Sequence, residues 1–364
     1  MCIRDRIKNV RVWSEDLKLT QPYSISYETI DSVENVFVHI ELENGIWGIG
    51  SGSPAEFVTG EDHVSCLNVL NDHSNDLLIN KNINSIEALC KSINETLPSN
   101  PAARAALDIA LFDAYSKIKK VPLFEIFGRR HDSLYTSITI GIKSIEESAK
   151  DAEEYVARGF HLLKVKTGSN VDHDIELIHK LRETVSSSIG IRVDANQGYS
   201  KDDLIKFVKY TEKQNIELIE QPLPRDFDDD MKDLPKSIQN KCAADESLHD
   251  PDDALRLSKE PYRFGIFNIK LMKCGGLSPA KKIAQTAYQK GIDLMWGCMD
   301  ESIVSISAAL HIALSSPTTK YLDLDGSFDL AKDIVSGGFK LKDGKLIPTM
   351  RPGLGVDLLG EISD

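Results

Sequence analysis

The chain has 364 residues, 41% of them apolar and 27% charged, with a formal net charge of −13. That length is enough for a full barrel and a second domain, and the composition is that of a soluble globular protein. The negative charge argues against a nucleic-acid or anionic-membrane partner, and no apolar run reaches membrane-spanning length.

Six cysteines (Cys2, Cys66, Cys90, Cys242, Cys274, Cys298) are scattered with no CxxC pair. That spacing offers no zinc site and suits a reducing, cytoplasmic setting. The nine histidines show no HxH or HExxH spacing, so any metal is expected on oxygen ligands. Residues 1–6 are short and polar without an apolar h-region, so they do not read as a secretory signal. They read as foreign to the strand that follows.

Residues 8–13 and 36–42 are predicted strands. Glu43-Asn44-Gly45 is a turn, and residues 46–51 form the return strand of a hairpin. A polar loop, 21–35, lies between the first two strands. Pro101 opens an amphipathic helix over 101–117. Its Arg104, Asp108 and Asp113 read as helix-face or interdomain pairs rather than catalysts. Pro122 and Gly128 end this α+β region.

From there a strand-helix alternation runs on. Strands are predicted at 137–142, 161–166, 190–194, 216–220, 241–245, 265–270, 292–297 and 320–324. Helical patterns lie between them at 145–158, 172–185, 201–214, 251–259, 279–290 and 302–314. Eight parallel strands with right-handed crossovers close most naturally into a barrel. An open doubly wound sheet fits less well, because no GxGxxG follows a strand. Gly275-Gly276 is only weak evidence for a phosphate site. The tail holds a hairpin pattern (338–347) and a Pro352-Gly353 turn, and is expected to fold back onto the first domain. The expected fold is therefore α/β, a (β/α)8-type modified TIM barrel with an α+β capping domain. Residues 1–128 form the cap, 129–334 the barrel, and 335–364 a segment returning to the cap.

The second to sixth predicted barrel strands each finish on a charge or lie beside one: Lys166, Asp194, Glu220, Asp245 and Lys270. The charges are spaced about 25 to 28 residues apart, one strand-helix unit. A charge inside a covered parallel strand is costly, whereas at the C-terminal end it stands at the mouth where barrels place their chemistry. Asp194, Glu220 and Asp245 come from consecutive strand ends. Three converging carboxylates repel unless a cation sits among them, and three oxygen ligands suit Mg²⁺. Separate surface salt bridges are the plainer alternative. The run Asp194-Ala-Asn-Gln-Gly198 and the pair Asp245-Glu246 argue against it, since each puts polar groups beside a ligand.

Lys164 and Lys166 lie two apart on one strand and share its inner face. Lys270 stands across the mouth. Lysines facing one another and a metal are expected to have depressed pKa values, which makes the neutral amine accessible as a base. With Mg²⁺ stabilising an enediolate, one lysine would remove an α-proton and the other would return it from the opposite face, inverting the centre.

This pattern, Lys164-x-Lys166, Asp194, Glu220, Asp245 and Lys270, resembles the enolase superfamily in its muconate-lactonizing-enzyme-like branch. The resemblance extends to Pro101-Ala-Ala-Arg-Ala-Ala-Leu-Asp108 in the cap and to the closing Pro352-Gly-Leu-Gly355. It implies that the three acids bind Mg²⁺, that Lys166 and Lys270 are the acid/base pair, and that Lys164 assists carboxylate polarisation. The mandelate-racemase histidine after the seventh strand is replaced by Trp296-Gly297-Cys298. Leu322-Asp323-Leu324-Asp325-Gly326 resembles the motif with which dipeptide epimerases hold a substrate ammonium. Its two carboxylates on one face suit that contact, although Asp325 beside Gly326 also fits an Asx-type turn. The stretch from Gly297 to Ser302 is similar to theirs too, which implies that Cys298 and Met299 line the pocket. Glu301 fits a helix-start acid equally well.

The resemblance thus implies an isomerase, a Mg²⁺-dependent epimerase of L-Ala-L-Xaa-type dipeptides, acting on a small-molecule dipeptide and often multimeric as a homo-oligomer. An N-acylamino acid racemase or an o-succinylbenzoate synthase of the same branch is the alternative. One departure bears on specificity. The loop 21–35 carries no Arg or Lys but has Glu28, Asp31 and Glu34, where members acting on L-Ala-L-Glu commonly place a basic residue. Such a loop favours a neutral or cationic second residue over an anionic one. Tyr23, Ile25 and Tyr27 could line an apolar pocket or simply pack between domains.

Overall fold

The structure is a computed structural model that describes residues 3–20, 23–24, 29–30 and 32–360. Ile25, Tyr27, Glu28 and Asp31 of the predicted loop lie outside the described residues.

Eight parallel strands follow one another around a barrel in sequence order: Ile138–Ile140, Leu162–Lys166, Gly190–Asp194, Ile216–Glu220, Cys242–Ala244, Ile266–Ile269, Asp293–Gly297 and Thr319–Asp323. All eight predicted strands are present, with ends moved by one or two residues. They will be called the first to eighth barrel strands. A parallel bridge from Thr136 to Leu322 joins the eighth strand to the first, with Ser137 N donating to Leu322 O at 3.1 Å. The first strand is therefore shorter than predicted. Thr136 accepts instead from Leu324 N through its hydroxyl, at 2.9 Å.

Strand register is what places the chemistry. Lys166 pairs with Asp194, and Lys164 with Arg192. Asp194 pairs in turn with Glu220, and Glu220 with Ala243. A one-residue slip would turn these charges into the helical layer, where they would have no partners. The helices are started by local chemistry. Ser144 and Glu147 form a capping box ahead of Ile145–Ala157, and Ser200 and Asp203 form another ahead of Lys201–Thr211. Among the described residues no helix is long and apolar enough to cross a membrane.

The cap is built on an antiparallel sheet of Ile7–Asp16, Glu34–Leu42 and Trp47–Gly52. Helix Pro101–Lys119 lies against the last of these strands. Ala102, Ala106, Ala110 and Ala114 repeat every fourth residue, so one side of the helix is nearly flat. Gly48, Gly50 and Gly52 face that side, and a Cβ on any of them would run into the helix backbone. Ahead of the sheet, Ile3–Asp5 forms a single 3-10 turn, and Asp5 accepts from Asn44 and Asn84 at 3.4 and 3.0 Å.

Of the acids of that helix, Asp108 ties the cap to the barrel and Asp113 ties it to the tail. Asp108 Oδ1 accepts from the backbone of Leu277 at 2.6 Å and of Ser278 at 3.4 Å. It caps the helix Leu277–Lys290 that follows Gly275-Gly276, so a carboxylate occupies the turn suggested for phosphate. Asp113 accepts from Ile49 N, Leu354 N and Lys117 Nζ at 3.0, 2.8 and 2.7 Å. The tail makes a hairpin, Phe339–Lys342 with Lys345–Pro348, that pairs with Leu134–Tyr135. Gly353 then bridges to Pro122 of the cap.

Replacing Gly50 by Ala would force a Cβ against the Ala106 carbonyl. We expect a loss of about 1–3 kcal/mol in urea denaturation, the usual cost of overpacking. Gly141→Ala, where nothing lies within 4 Å, is expected to be near neutral.

A second prediction concerns pH. His311 is wholly buried, stacks on Phe124 at 5.1 Å and accepts the Phe124 N–H at 3.2 Å. Burial lowers its pKa to about 4 from 6.5. Between those values the unfolded chain holds the proton and the folded chain does not, so stability falls as pH drops through that window. The fully developed loss is about 3 kcal/mol. Burial raises the Asp108 carboxyl to about 6, which pulls the other way. The measurement is therefore the difference between the parent and His311→Gln, which should shrink from pH 7 to pH 4.

Candidate active site

Lys164 is the centre of the barrel mouth. It is 4% exposed, and its Nζ lies 2.7 Å from Asp323 Oδ2, 3.0 Å from Asp194 Oδ2 and 2.8 Å from Glu220 Oε2. The approach to Glu220 lacks hydrogen-bond geometry, and Glu220 Oε2 is buried with no hydrogen bond. Lys166 donates to Asp194 Oδ2 at 2.8 Å and to Asn196 Oδ1 at 2.9 Å. Lys270, just past the sixth strand, donates to Asp245 Oδ2 at 2.8 Å. Asn268 Nδ2 holds Glu220 Oε1 at 2.7 Å. The ring read from strand ends is therefore brought together, with Asp194 and Glu220 fully buried and Asp245 3% exposed.

Sequence reasoning missed Lys273. It is buried and donates to the Asp245 carbonyl at 2.6 Å as well as to Asp245 Oδ1. Its position three residues after Lys270, one helical turn on, was the available signal. Ser137 was also missed. It donates to Asp323 Oδ1 at 2.7 Å and lies 3.3 Å from Arg192 Nη1 inside the barrel. Nothing in the linear sequence pairs residues 137 and 323.

Two of the lysines are held charged by the acids around them. Burial works against the charge on Lys270, but Asp245 and Glu220 outweigh it and hold its pKa above the ordinary range. Burial is likewise overcome at Lys164 by Asp194, Asp323 and Glu220. As arranged, these two amines are ammoniums; the depressed values expected from the sequence are for lysines that also face a metal. The acids divide. Burial would raise Asp194 and Asp245, but Lys164 and Lys166 pull the first down and Lys270 and Lys273 the second. Glu220 goes up to about 8, through burial and then the charge of Asp194.

Among the described residues, no group of three acidic, His or Cys side chains is set to hold a metal as it stands. Lysine ammoniums interleave the acids instead. The donors themselves still fit a hard divalent cation. They are carboxylate oxygens from neighbouring strand ends, and one of them, Glu220 Oε2, is buried without a hydrogen bond.

Asp323 and Asp325 are placed differently. Asp323 is the counter-ion of Lys164 and is 3% exposed. Asp325 Oδ2 accepts from Thr139 N of the first strand at 2.8 Å, so its side chain makes no local turn. Burial and Asp323 raise its pKa to about 7. Cys298 Sγ lies 3.3 Å from both Asp323 O and Gly326 N, and Met299 N donates to Glu301 Oε1 at 2.9 Å. Glu301 therefore folds back onto its own loop, while Ser302 caps the helix Ile303–Ala313. The cap grips this loop. Ser53 Oγ donates to Asp300 O at 2.9 Å, and Ser302 N donates to Asn35 Oδ1 at 3.0 Å. Glu34, an acid of the predicted loop, pairs with His63 Nδ1 at 2.6 Å.

Lys164→Met would leave three buried carboxylates without their shared ammonium. We expect a loss of about 3–5 kcal/mol in chemical denaturation, the cost of stranding buried charge. Lys166→Met, at a more exposed site, should cost much less.

Two family descriptions match the chain: "Enolase C-terminal domain-like" over residues 147–362, and "Mandelate racemase / muconate lactonizing enzyme, N-terminal domain" over residues 7–128. The L-Lys-D/L-Arg epimerase of Desulforapulum autotrophicum is 54% identical over 351 residues, covering 96% of this chain and 99% of that protein. The hydrophobic dipeptide epimerase of Enterococcus faecalis is 35% identical over 343 residues, covering 94% and 96%. A crystal structure of the dipeptide epimerase from Methylococcus capsulatus, complexed with Mg and the dipeptide L-Arg-D-Lys, superposes with a TM-score of 0.95. Its identity is 48%, and the match covers 96% of this chain and 99% of that one. The chain belongs to the mandelate racemase/muconate lactonizing enzyme branch of the enolase superfamily.

Proposed function

We propose that the protein inverts the α-carbon of the C-terminal residue of dipeptides with cationic side chains, using Lys166 and Lys270 as its two bases. It is an isomerase of the dipeptide epimerase kind, and its cofactor is Mg²⁺. Asp194, Glu220 and Asp245 would hold the ion.

The observation that carries the reading is the placement of the two lysines. Lys166 sits on Asp194 and Lys270 on Asp245, on either side of Glu220. When bound, Mg²⁺ supplies positive charge beside the substrate carboxylate, offsets the pull of the acids on the lysines, and lowers the cost of removing the α-proton. One lysine, as the free amine, takes the proton from one face. The other, as ammonium, delivers a proton to the opposite face, and the roles exchange in the reverse direction. Lys164 stays charged between its carboxylates and orients them.

Asp325 supports a substrate with a free ammonium. It is half-buried, and among the described residues it forms no ion pair with a Lys or Arg. N-acylamino acids and succinylbenzoate precursors carry no such ammonium and would leave it unmatched. Glu246 and Glu301 also stand beside the ring without a Lys or Arg partner among the described residues. Burial raises each to about 7. These acids and the loop 21–35, which has no basic residue, favour cationic side chains over the L-Ala-L-Glu type. The name of the Desulforapulum relative agrees with that preference.

The test is a library of dipeptides incubated with the Mg²⁺-loaded enzyme in D₂O and followed by mass. Dipeptides carrying Lys or Arg should gain about one mass unit, the exchanged α-proton. Chelation should stop the gain. Lys166→Ala and Lys270→Ala should each lower the rate of inversion by about 10²–10⁴-fold. Uptake by N-acylamino acids and not by any dipeptide would sink the proposal.

A further inference from the structure

Asn196 touches both halves of the mouth. Its Oδ1 accepts from Lys166 Nζ at 2.9 Å, and its Nδ2 donates to Glu246 Oε1 at 3.2 Å. Its backbone N–H donates to Asp194 Oδ1 at 3.0 Å. The residue lies in the left-handed region, at φ 41°, which asparagine tolerates better than most side chains. The adjoining turn is fixed from the next strand, with Ala195 N donating to Glu220 O at 3.1 Å and Gln197 N to Gln221 O at 2.8 Å. The amide is therefore set on a rigid base between the third and fifth strand ends.

Its orientation is forced. An ammonium only donates, so the amide oxygen must face Lys166, which leaves the amide nitrogen to Glu246 Oε1. The one arrangement that satisfies both neighbours puts the amide oxygen on Lys166 and the amide nitrogen on Glu246. Rotating the amide by half a turn would set NH₂ against NH₃⁺ and C=O against the carboxylate. Glu246 thus locks the amide, and the locked amide fixes Lys166 by a contact that does not depend on Asp194. Among the described residues Lys270 has no such amide. Its hydrogen-bonded side-chain partner there is Asp245, which Lys273 shares as Lys164 shares Asp194 with Lys166.

We propose that Asn196, locked by Glu246, is a positioning residue for Lys166 and so governs proton transfer on one face of the α-carbon only. The inference rests on the reading of Lys166 and Lys270 as a two-base pair. It makes the two lysines unequal. Both are held by the acid ring, and Lys166 by an amide outside it as well.

The experiment isolates each face. In Lys270→Ala only Lys166 can exchange an α-proton, and in Lys166→Ala only Lys270 can. Asn196→Ala is placed in each background, and deuterium uptake is measured from each epimer of an active dipeptide. Lys166-dependent exchange should fall by on the order of ten- to a hundredfold, the scale of a misplaced catalytic group. Lys270-dependent exchange should stay within about threefold, and it reports that the variant is folded. Asn196→Asp brings a carboxylate against Glu246. Combining it with Glu246→Gln restores a donor-acceptor pair of the same net charge, and should recover Lys166-dependent exchange lost in Asn196→Asp alone. Equal loss on both faces, or no loss on either, overturns the inference while leaving the epimerase reading intact. If the unaltered enzyme exchanges no dipeptide, the functional reading fails and the inference falls with it.

Discussion

The Lys164 ammonium, held among Asp194, Glu220 and Asp323, is the interaction on which the mouth depends. Three carboxylates and a lysine withdrawn from water are unfavourable one by one and tolerable only as a set. The set spans the second, third, fourth and eighth strands, so it exists only if the barrel closes in the right register. The bridge from Thr136 to Leu322 and the Ser137 hydroxyl on Asp323 supply that closure beside the acid that Lys164 needs. Fold and site are thus stabilised by the same contacts.

The balance of charge at the mouth is uneven. Lys164, Lys166, Lys270 and Lys273 face Asp194, Glu220, Asp245, Glu246, Glu301, Asp323 and Asp325. The acids that accept a hydrogen bond from a lysine, Asp194, Asp245 and Asp323, have depressed pKa values, while Glu220, Glu246, Glu301 and Asp325 are raised. A site with surplus carboxylate favours positive guests. In the proposed function, a divalent ion among the strand-end acids and cationic groups on the substrate would satisfy one and the same surplus, so cofactor and specificity belong together. The cap contributes by geometry. Asn35 and Ser53 grip the loop after the seventh strand, and Asp108 anchors the helix after the sixth.

Much of this was legible because strand ends in a parallel barrel repeat at a regular interval, and a charge there breaks an otherwise apolar run. Asp194, Glu220, Asp245, Lys166 and Lys270 all follow from that one regularity. What the sequence hid were pairings across strands. Nothing in the chain order says that Asp323 also meets Lys164. Of the two acids of the Asp-x-Asp, Asp325 is the one that forms no ion pair with a lysine among the described residues. The carboxylates that Lys164 and Lys270 touch lie on other strands and are hidden in the chain order in the same way. The diglycine turn at 275–276 suggested an anion, but a distant residue, Asp108, already filled its helix terminus.

The same cross-strand view explains why the two lysines proposed as bases need not behave alike. Lys166 lies on a strand and meets the turn after the third strand, where an amide can be held rigidly by backbone bonds to the fourth. Lys270 opens a short helix, Leu271–Cys274, whose next turn brings Lys273 onto the same aspartate. Each lysine shares its aspartate with a second cation, Lys166 with Lys164 and Lys270 with Lys273, but only Lys166 is also steadied by a neutral dipole among the described residues. Inversion requires only that each face have a base. It does not require that the two be poised alike, and the fold, which has no symmetry between its third and sixth strands, gives them different surroundings.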